Sequence, residues 1–184
     1  MEIKNHFTQT LETDRLILSP WQRKFAKGMY KNWATDPEVN KWLSWELHKN
    51  VQETEQVILN WISSPRYNWC ILDKQTEEPI GSIDMVKYDA RNFKCEIGYC
   101  LSRKYWGNGL MTEALKKVIE FLFSEGFNKI ELRHAVENVG SGRVMQKAGM
   151  TFLCTSPKDI CVRGKFYDAN YYYILNPHIN KWNF

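Results

Sequence analysis

The chain has 184 residues, of which 43% are hydrophobic and 14% are aromatic, so it is long enough and apolar enough to bury one core. This composition excludes an intrinsically disordered protein, and a formal net charge of +4 is too small to indicate specific nucleic-acid binding. No stretch approaches the ~18 apolar residues that a membrane-spanning helix needs. We therefore expect a single domain over residues 1–184 in a soluble, cytoplasmic protein that does not bind membranes.

Hydrophobic periodicity and turn residues predict an alternation of strands and helices. Strands are predicted at residues 15–19, 67–73, 80–88, 94–101, 129–136, 150–155 and 167–175. Helical segments are predicted at residues 21–43, 51–63, 110–125 and 140–148, and a polar turn at residues 157–164. The connections within residues 67–101 are too short for crossover helices, so these strands are expected to form an antiparallel meander. Residues 1–11 form a lead-in, and the tail after residue 175 has no clear periodicity.

The stretch KCEIGYCLSRKYWGNGLMTEA, at residues 94–114, changes from strand-like alternation to a helical period across a turn with two glycines. Gly107 and Gly109 let the backbone approach a ligand closely, and the helix that follows begins with unpaired N–H groups. This arrangement suits a phosphate or pyrophosphate, although a plain strand-to-helix connector is the alternative. The third glycine of a Rossmann motif is absent, because Thr112 stands in its place, and no P-loop Gly-Lys pair follows.

Further motifs stand in order along the chain. Residues 13–18 read TDRLIL, an E-I-G-Y strand begins at Glu96, a W-G-x-G loop begins at Trp106, and an N-x-x-S-x-R-V-x-x-K-x-G segment begins at Asn138. Together they resemble the GNAT acetyltransferase superfamily, in particular the branch that includes the ribosomal-protein N-terminal (RimJ/RimL-type) acetyltransferases. The resemblance spans almost the whole chain. It implies an α/β (α+β) fold with a mixed, mostly antiparallel sheet of about seven strands flanked by helices.

The resemblance also implies acetyl-CoA as the acetyl donor, without a metal ion. The pantetheine arm is expected to add to the edge of the strand at residues 99–101, as a peptide would, and the pyrophosphate to rest on the N–H groups of residues 107–111. Lys104 stands where the family more often has Gln or Arg, and it either adds positive charge or is a solvated loop lysine. The expected cofactor contacts are Tyr99, Cys100, Leu101, Lys104, Trp106, Gly107, Asn108, Gly109, Leu110, Met111, Asn138 and Ser141.

Acetyl transfer to an amine needs a group that removes a proton, since alkylamines titrate near ~10. Glu96 is the first candidate for this base, carried over from the E-I-G-Y match, and a strand glutamate paired with a basic residue is its alternative. His134 is the second candidate, and a hydrogen-bonded core histidine is the better interpretation of it. Ser141 is expected to contact the cofactor and to supply a proton to the departing thiolate, although Asn138 and Ser141 are also good helix-cap residues.

The acceptor is expected to be a primary amine, with a protein N-terminus as the first candidate. A small molecule such as a polyamine, an antibiotic or an amino-acid derivative is the alternative. Trp42 and Trp45, with Glu96, are candidates to line its pocket, whereas packing of the tryptophans onto the sheet is the more ordinary interpretation. A non-catalytic CoA-binding module is the alternative from a different class. The five cysteines form no C-x-x-C pair, which favours reduced thiols over a zinc site, and a monomer or homodimer is expected.

Overall fold

The computed structural model describes residues 8–179, and within them eight strands form one sheet in the order β1-β2-β3-β4-β5-β6-β8-β7. The strands are β1 (Leu11–Glu12), β2 (Leu16–Pro20), β3 (Asn68–Asp73), β4 (Pro79–Asp89), β5 (Lys94–Leu101), β6 (Lys129–Ala135), β7 (Thr151–Val162) and β8 (Lys165–Leu175). The helices are α1 (Ala26–Met29), α2 (Pro37–Asn40), α3 (Val51–Ile62), α4 (Leu110–Ser124) and α5 (Val139–Lys147). The predicted lead-in and tail lie partly outside the described residues.

Each face of the sheet carries its own hydrophobic core, because alternate strand residues point to opposite faces. On one face, α4 buries the helical stripe that includes Leu115 and Val118 against Ile83 and Ile97 of the central strands. On the other face, residues of α1 and α3 pack with Trp21 and Trp33 against β3. The two layers of helices therefore hold β3, β4 and β5 between them.

Among the described residues, one pair of neighbouring strands, β5 and β6, runs parallel, and its pairing is short. The paired residues are Lys94 to Glu96 on β5 and Lys129 to Glu131 on β6. Beyond Glu96, β5 continues to Leu101 along β4, whereas β6 continues to Ala135 along β8. Within the described residues the two strands therefore separate, and the edge of β5 at residues 97–101 has no strand partner on that side. We call this opening the split.

The prediction of a mixed, mostly antiparallel sheet is confirmed, and the observed strand count is eight because β1 adds a two-residue edge beside β2. The predicted turn at residues 157–164 is wrong in extent. Here β7 and β8 continue as a long hairpin that reverses only at Arg163 and Gly164. The pairing shifts register between Ser156 and Ile160, where Lys158 has a positive φ of 51°. An edge strand tolerates this irregularity, and also Pro157, because its outer side pairs with no other strand in the described part of the chain.

Within the described residues, no helix is long and apolar enough to cross a membrane. The same part of the chain contains no cluster of three or more His, Cys, Asp or Glu side chains arranged to hold a metal ion.

Candidate active site

The loop that follows β5 is built to expose backbone N–H groups. Gly107 and Gly109 both adopt positive φ angles, of 80° and 78°, that favour glycine. Helix α4 starts at Leu110 without a side-chain cap, so its first-turn N–H groups have no acceptor within the helix. The indole N–H of Trp106 donates to the backbone oxygen of Leu101 at 2.7 Å and ties the loop to the end of β5. Lys104 is exposed beside this loop.

A polar clamp holds the start of α4 against the N-terminal part of the chain. The Thr13 hydroxyl donates to Oε1 of Glu113 at 2.6 Å, and the Arg15 guanidinium pairs with Oε2 at 2.6 Å. Arg15 also donates to the backbone oxygen of Asn108 at 3.0 Å. Burial alone would raise the pKa of the Glu113 carboxyl, but these hydrogen bonds and the charge of Arg15 lower it below its ordinary value. The T-x-R motif therefore positions the glycine loop, a role that the sequence did not reveal.

Residues of α5 meet β5 across the split. Asn138 caps α5, because its Oδ1 accepts from the backbone N–H of Ser141 at 3.4 Å. The Tyr99 hydroxyl donates to the backbone oxygen of Ser141 at 3.0 Å and lies 3.0 Å from its Oγ. Burial raises the pKa of Tyr99, so this hydroxyl stays protonated. The structure shows Asn138 in its capping role, and the contact of Asn138 with the cofactor stays a prediction.

Glu96 lies on the opposite face of β5 from Tyr99 and is held by two cations. Its Oε1 lies 3.1 Å from Nε of Arg133, and its Oε2 lies 3.2 Å from Nζ of Lys87. Arg133 in turn pairs with Asp159 at 3.1 Å and donates a hydrogen bond to the Tyr171 hydroxyl oxygen at 3.2 Å. The glutamate side chain is 17% exposed. Glu96 therefore belongs to a network of ion pairs that runs across four strands. This agrees with the alternative interpretation of Glu96, a strand glutamate paired with a basic residue.

His134 lies on the face of β6 opposite to Arg133 and is buried against α5. Its Nδ1 hydrogen bonds to the backbone oxygen of Ala135 at 2.7 Å, and its ring stacks on Tyr172 with centroids 5.8 Å apart. Nε2 has no hydrogen-bond partner among the described residues, and it faces Gly142, where an added Cβ would lie only 2.7 Å away. Burial lowers the pKa of His134. These contacts favour a core role and separate His134 from Glu96.

Asp84 is a residue that the sequence-based search missed. It lies opposite Gly98 in the β4–β5 pairing, on the face that carries Glu96 and Cys100. The side chain is half-buried, and no hydrogen bond to its carboxyl is made within the described residues. Burial raises the pKa of Asp84 to about 7, against a smaller lowering by the charge of Arg66. The sequence does contain one sign of this residue, because Asp84 is a carboxylate within the largely apolar first part of β4.

The tip of the β7–β8 hairpin reaches the connection between α2 and α3. Arg163 donates to the backbone oxygens of Asn40 and Trp45 at 3.3 and 3.5 Å, and it lies 3.6 Å from the Glu46 carboxylate. Trp42 meets Tyr167 of the hairpin edge-on at 5.2 Å between ring centroids. We call these contacts the bridge. A cavity of about 690 Å³ includes Asn40, Glu46 and Arg163 in its lining.

The bridge joins elements that lie on the two sides of the split. The hairpin belongs to the β6 side, whereas α2 is anchored on the β5 side by an ion pair of 3.1 Å between Asp36 and Arg103. Trp42 thus takes part in the bridge. The ring of Trp45 lies 5.3 Å from that of His48, centroid to centroid, and packs against the core that contains Trp21 and Trp33. Of the two tryptophans, Trp42 is the one that takes part in the bridge, and its place in an acceptor pocket stays a prediction.

The family model for the acetyltransferase (GNAT) domain matches residues 15–151 of the chain. An uncharacterized N-acetyltransferase of Bacillus licheniformis, p20, is 32% identical over 152 residues, which cover 77% of this chain and 85% of that protein. The fold is similar to that of the microcin C7 self-immunity acetyltransferase MccE, solved with acetyl-CoA and AMP, with a TM-score of 0.81 and 22% identity over 89% of this chain and 93% of that one.

The ribosomal-protein-S5-alanine acetyltransferase of Vibrio fischeri has a similar fold as well, with a TM-score of 0.78 and 17% identity over 92% of this chain and 98% of that one. At such identities the likeness establishes the fold alone. The family match, the p20 relationship and the split beside a glycine loop agree with one another. The chain belongs to the GNAT family of acetyltransferases and is an N-acetyltransferase that uses acetyl-CoA as its acetyl donor.

Proposed function

We propose that the chain transfers the acetyl group of acetyl-CoA to the primary amine of a small molecule. The observation that carries this proposal is the bridge over the split. A protein N-terminus needs a groove that admits an extended chain, whereas the contacts of Arg163 with the α2–α3 connection close the site on that side. The aromatic contact between Trp42 and Tyr167 adds a compact wall to the same rim.

The chemistry needs a bound thioester whose carbonyl is polarised. The free edge of β5 at residues 99–101 offers backbone hydrogen bonds to the pantetheine arm and an N–H to the carbonyl oxygen. The pyrophosphate is assigned to the N–H groups of residues 107–111, with Lys104 beside them. We assign the remaining cofactor contacts to Asn138 and Ser141, and we assign to Ser141 the transfer of a proton to the departing thiolate. The contact of Ser141 with Tyr99 across the split supports this assignment.

A protein N-terminus is the second candidate acceptor. It is favoured by the shared fold with the ribosomal-protein-S5-alanine acetyltransferase of Vibrio fischeri. For this acceptor the bridge would have to open, because its contacts span the rim where an extended chain would leave the site. The bridge rests on long hydrogen bonds and an exposed ion pair, which are individually weak.

The test is a screen of thiol release from acetyl-CoA with a panel of small primary amines and with peptides that begin with Ser or Ala. We expect kcat/KM for the best small amine to exceed that for the best peptide by at least about tenfold, which is about 1.4 kcal/mol of transition-state binding. Arg163→Gln weakens the bridge and should narrow this ratio by raising the peptide rates. Arg23→Gln, which removes another exposed arginine pair with Glu55, is the matched control.

A preference for peptides in the wild-type protein would assign the second candidate. An unchanged ratio in Arg163→Gln would show that the bridge does not select the acceptor. Acetyl-CoA binding is measured in parallel by titration, so that a failed acceptor screen is not mistaken for a failed cofactor site.

A further inference from the structure

We propose that Asp84, rather than Glu96, is the carboxylate that receives the acceptor's ammonium group and removes its proton. This inference rests on the proposed acetyl transfer to a primary amine. It assigns a catalytic residue on β4, one strand away from the E-I-G-Y segment that the sequence singled out.

The geometry places Asp84 beside the reacting part of β5. Its pairing partner is Gly98, and the strand residues that follow, Tyr99 to Leu101, form the free edge where the thioester is expected. Gly98 has no side chain, and Val86 lies close to it, because Cγ1 of Val86 would stand 3.0 Å from an added Cβ. At the position paired with Asp84, β5 therefore contributes no side chain between this carboxyl and the split.

Glu96 is already engaged, whereas Asp84 is not. Arg133 and Lys87 contact both carboxylate oxygens of Glu96, so an incoming ammonium would have to displace a cation to pair with it. The carboxyl of Asp84 makes no hydrogen bond or ion pair within the described residues. A half-buried carboxyl group without a partner is costly to maintain unless a ligand satisfies it, and an alkylammonium is the complementary group.

The groups around Asp84 set the pH range in which it accepts a proton. Arg66 contributes a positive charge from the segment before β3, and Cys100 faces Asp84 from β5. On β3, Asn68 is the residue paired with Asp84. The side-chain amide of Asn68 donates to the backbone oxygen of Trp61 and not to the Asp84 carboxyl. Burial raises the pKa of Cys100 to about 11, to which the Asp84 charge contributes, so the thiol stays neutral near pH 7. Asp84 is thus the group among these that changes charge near neutrality.

The proton balance of the proposed step is complete. The acceptor ammonium gives one proton to the Asp84 carboxylate, and the lone pair that is freed forms the C–N bond with the thioester carbonyl carbon. The tetrahedral intermediate then collapses with cleavage of the C–S bond, and the second proton of the attacking nitrogen neutralises the thiolate, directly or through Ser141. Asp84 finally releases its proton to solvent. The sum is one amide, one CoA thiol and one proton.

The first experiment titrates Asp84 in the protein without an acceptor. Protein labelled with ¹³C at the aspartate side-chain carbonyl is followed by NMR from pH 4 to 9, and Asp84→Asn assigns the resonance. We expect a midpoint near 7, as its burial predicts. A midpoint below 5 would overturn the assignment, because Asp84 would then be no better matched to the reaction than a surface carboxylate.

The second experiment compares pH profiles of kcat/KM with whichever amine the screen identifies. Asp84→Asn should lower kcat/KM by about 100-fold or more and remove the acid limb near pH 7, while leaving acetyl-CoA binding within about twofold. Glu96→Gln should retain that limb. Asp89→Asn, an Asp to Asn change in a turn at the far end of β4, is the matched control and should behave as wild type.

If Glu96→Gln loses the acid limb and Asp84→Asn keeps it, the proton acceptor is Glu96 and the inference fails. If wild-type protein binds acetyl-CoA and shows the expected Asp84 titration but acetylates no amine, the proposed function fails instead. The two failures are therefore distinguishable.

Discussion

Gly142→Ala should destabilise the protein, although alanine is the better helix residue. The gain in helix propensity within α5 is at most about 1 kcal/mol. The added Cβ would lie 2.7 Å from Nε2 and 2.9 Å from Cε1 of His134, and overpacking of this kind typically costs about 1–3 kcal/mol. The imidazole cannot swing aside cheaply, because Ala135 and Tyr172 hold its other side. We expect a net loss of up to about 2 kcal/mol in the free energy of unfolding, measured by urea denaturation.

Removal of the imidazole should reverse the sign of that effect. In a His134→Ala background the clash is gone, so Gly142→Ala should stabilise the protein by up to about 1 kcal/mol, and the double-mutant cycle should report a coupling of about 1–3 kcal/mol. Gly140→Ala is the control in the same helix, since its Cβ would meet only Asn138, at an ordinary 3.9 Å. A neutral or stabilising Gly142→Ala in the wild-type background would refute the packing described for His134.

Two further predictions concern the clamp and the buried carboxyl. Arg15→Met removes the contacts to Glu113 and Asn108 that hold the glycine loop. It should raise the KM for acetyl-CoA by about tenfold, with a smaller change in kcat. Arg23→Met, which removes the exposed pair with Glu55, is the control and should leave both constants unchanged. Burial raises the pKa of Asp84 from 3.8 to about 7, so the contribution of this group to stability is fully present below about pH 4 and is lost as the pH rises toward 7. Denaturation at several pH values should therefore show Asp84→Asn gaining up to about 4 kcal/mol relative to wild type between pH 4 and 8. A pH-independent difference between these two proteins would contradict the burial of that carboxyl.

The parts of the fold that were predicted well are those governed by local signals. Strand β5 has an alternating pattern with a glycine turn after it, and both of its ends lie at the predicted residues. Helix α4 likewise starts at Leu110, because Gly109 ends the turn and a helical stripe follows. The hairpin of β7 and β8 was predicted too short, since Lys158 and Asp159 resemble turn residues but lie on an exposed edge strand. Local composition does not distinguish a solvated strand from a turn.

The contacts of the site required long-range register, which one sequence does not contain. Glu96 meets Lys87, Arg133 and, through Arg133, Asp159, and these residues come from three other strands. The same register brings Asp84 opposite Gly98. The environment of each carboxylate therefore depends on its neighbours on adjacent strands. The motif search pointed to Glu96 because it matched a pattern in sequence, whereas Asp84 has no motif of its own.

The two carboxylates on this face have environments that fit different tasks. Lys87 and Arg133 form ion pairs with Glu96, so this residue links β4, β5 and β6 next to the split. Asp84 is half-buried without such partners, and a carboxyl whose pKa lies near the working pH can both take and return a proton. Acetyl transfer to an amine needs a rigid frame for the thioester and a separate group that cycles between protonation states. The division between Glu96 and Asp84 supplies both, because Glu96 is held in a network of ion pairs that joins the strands, whereas Asp84 has no ion pair among the described residues.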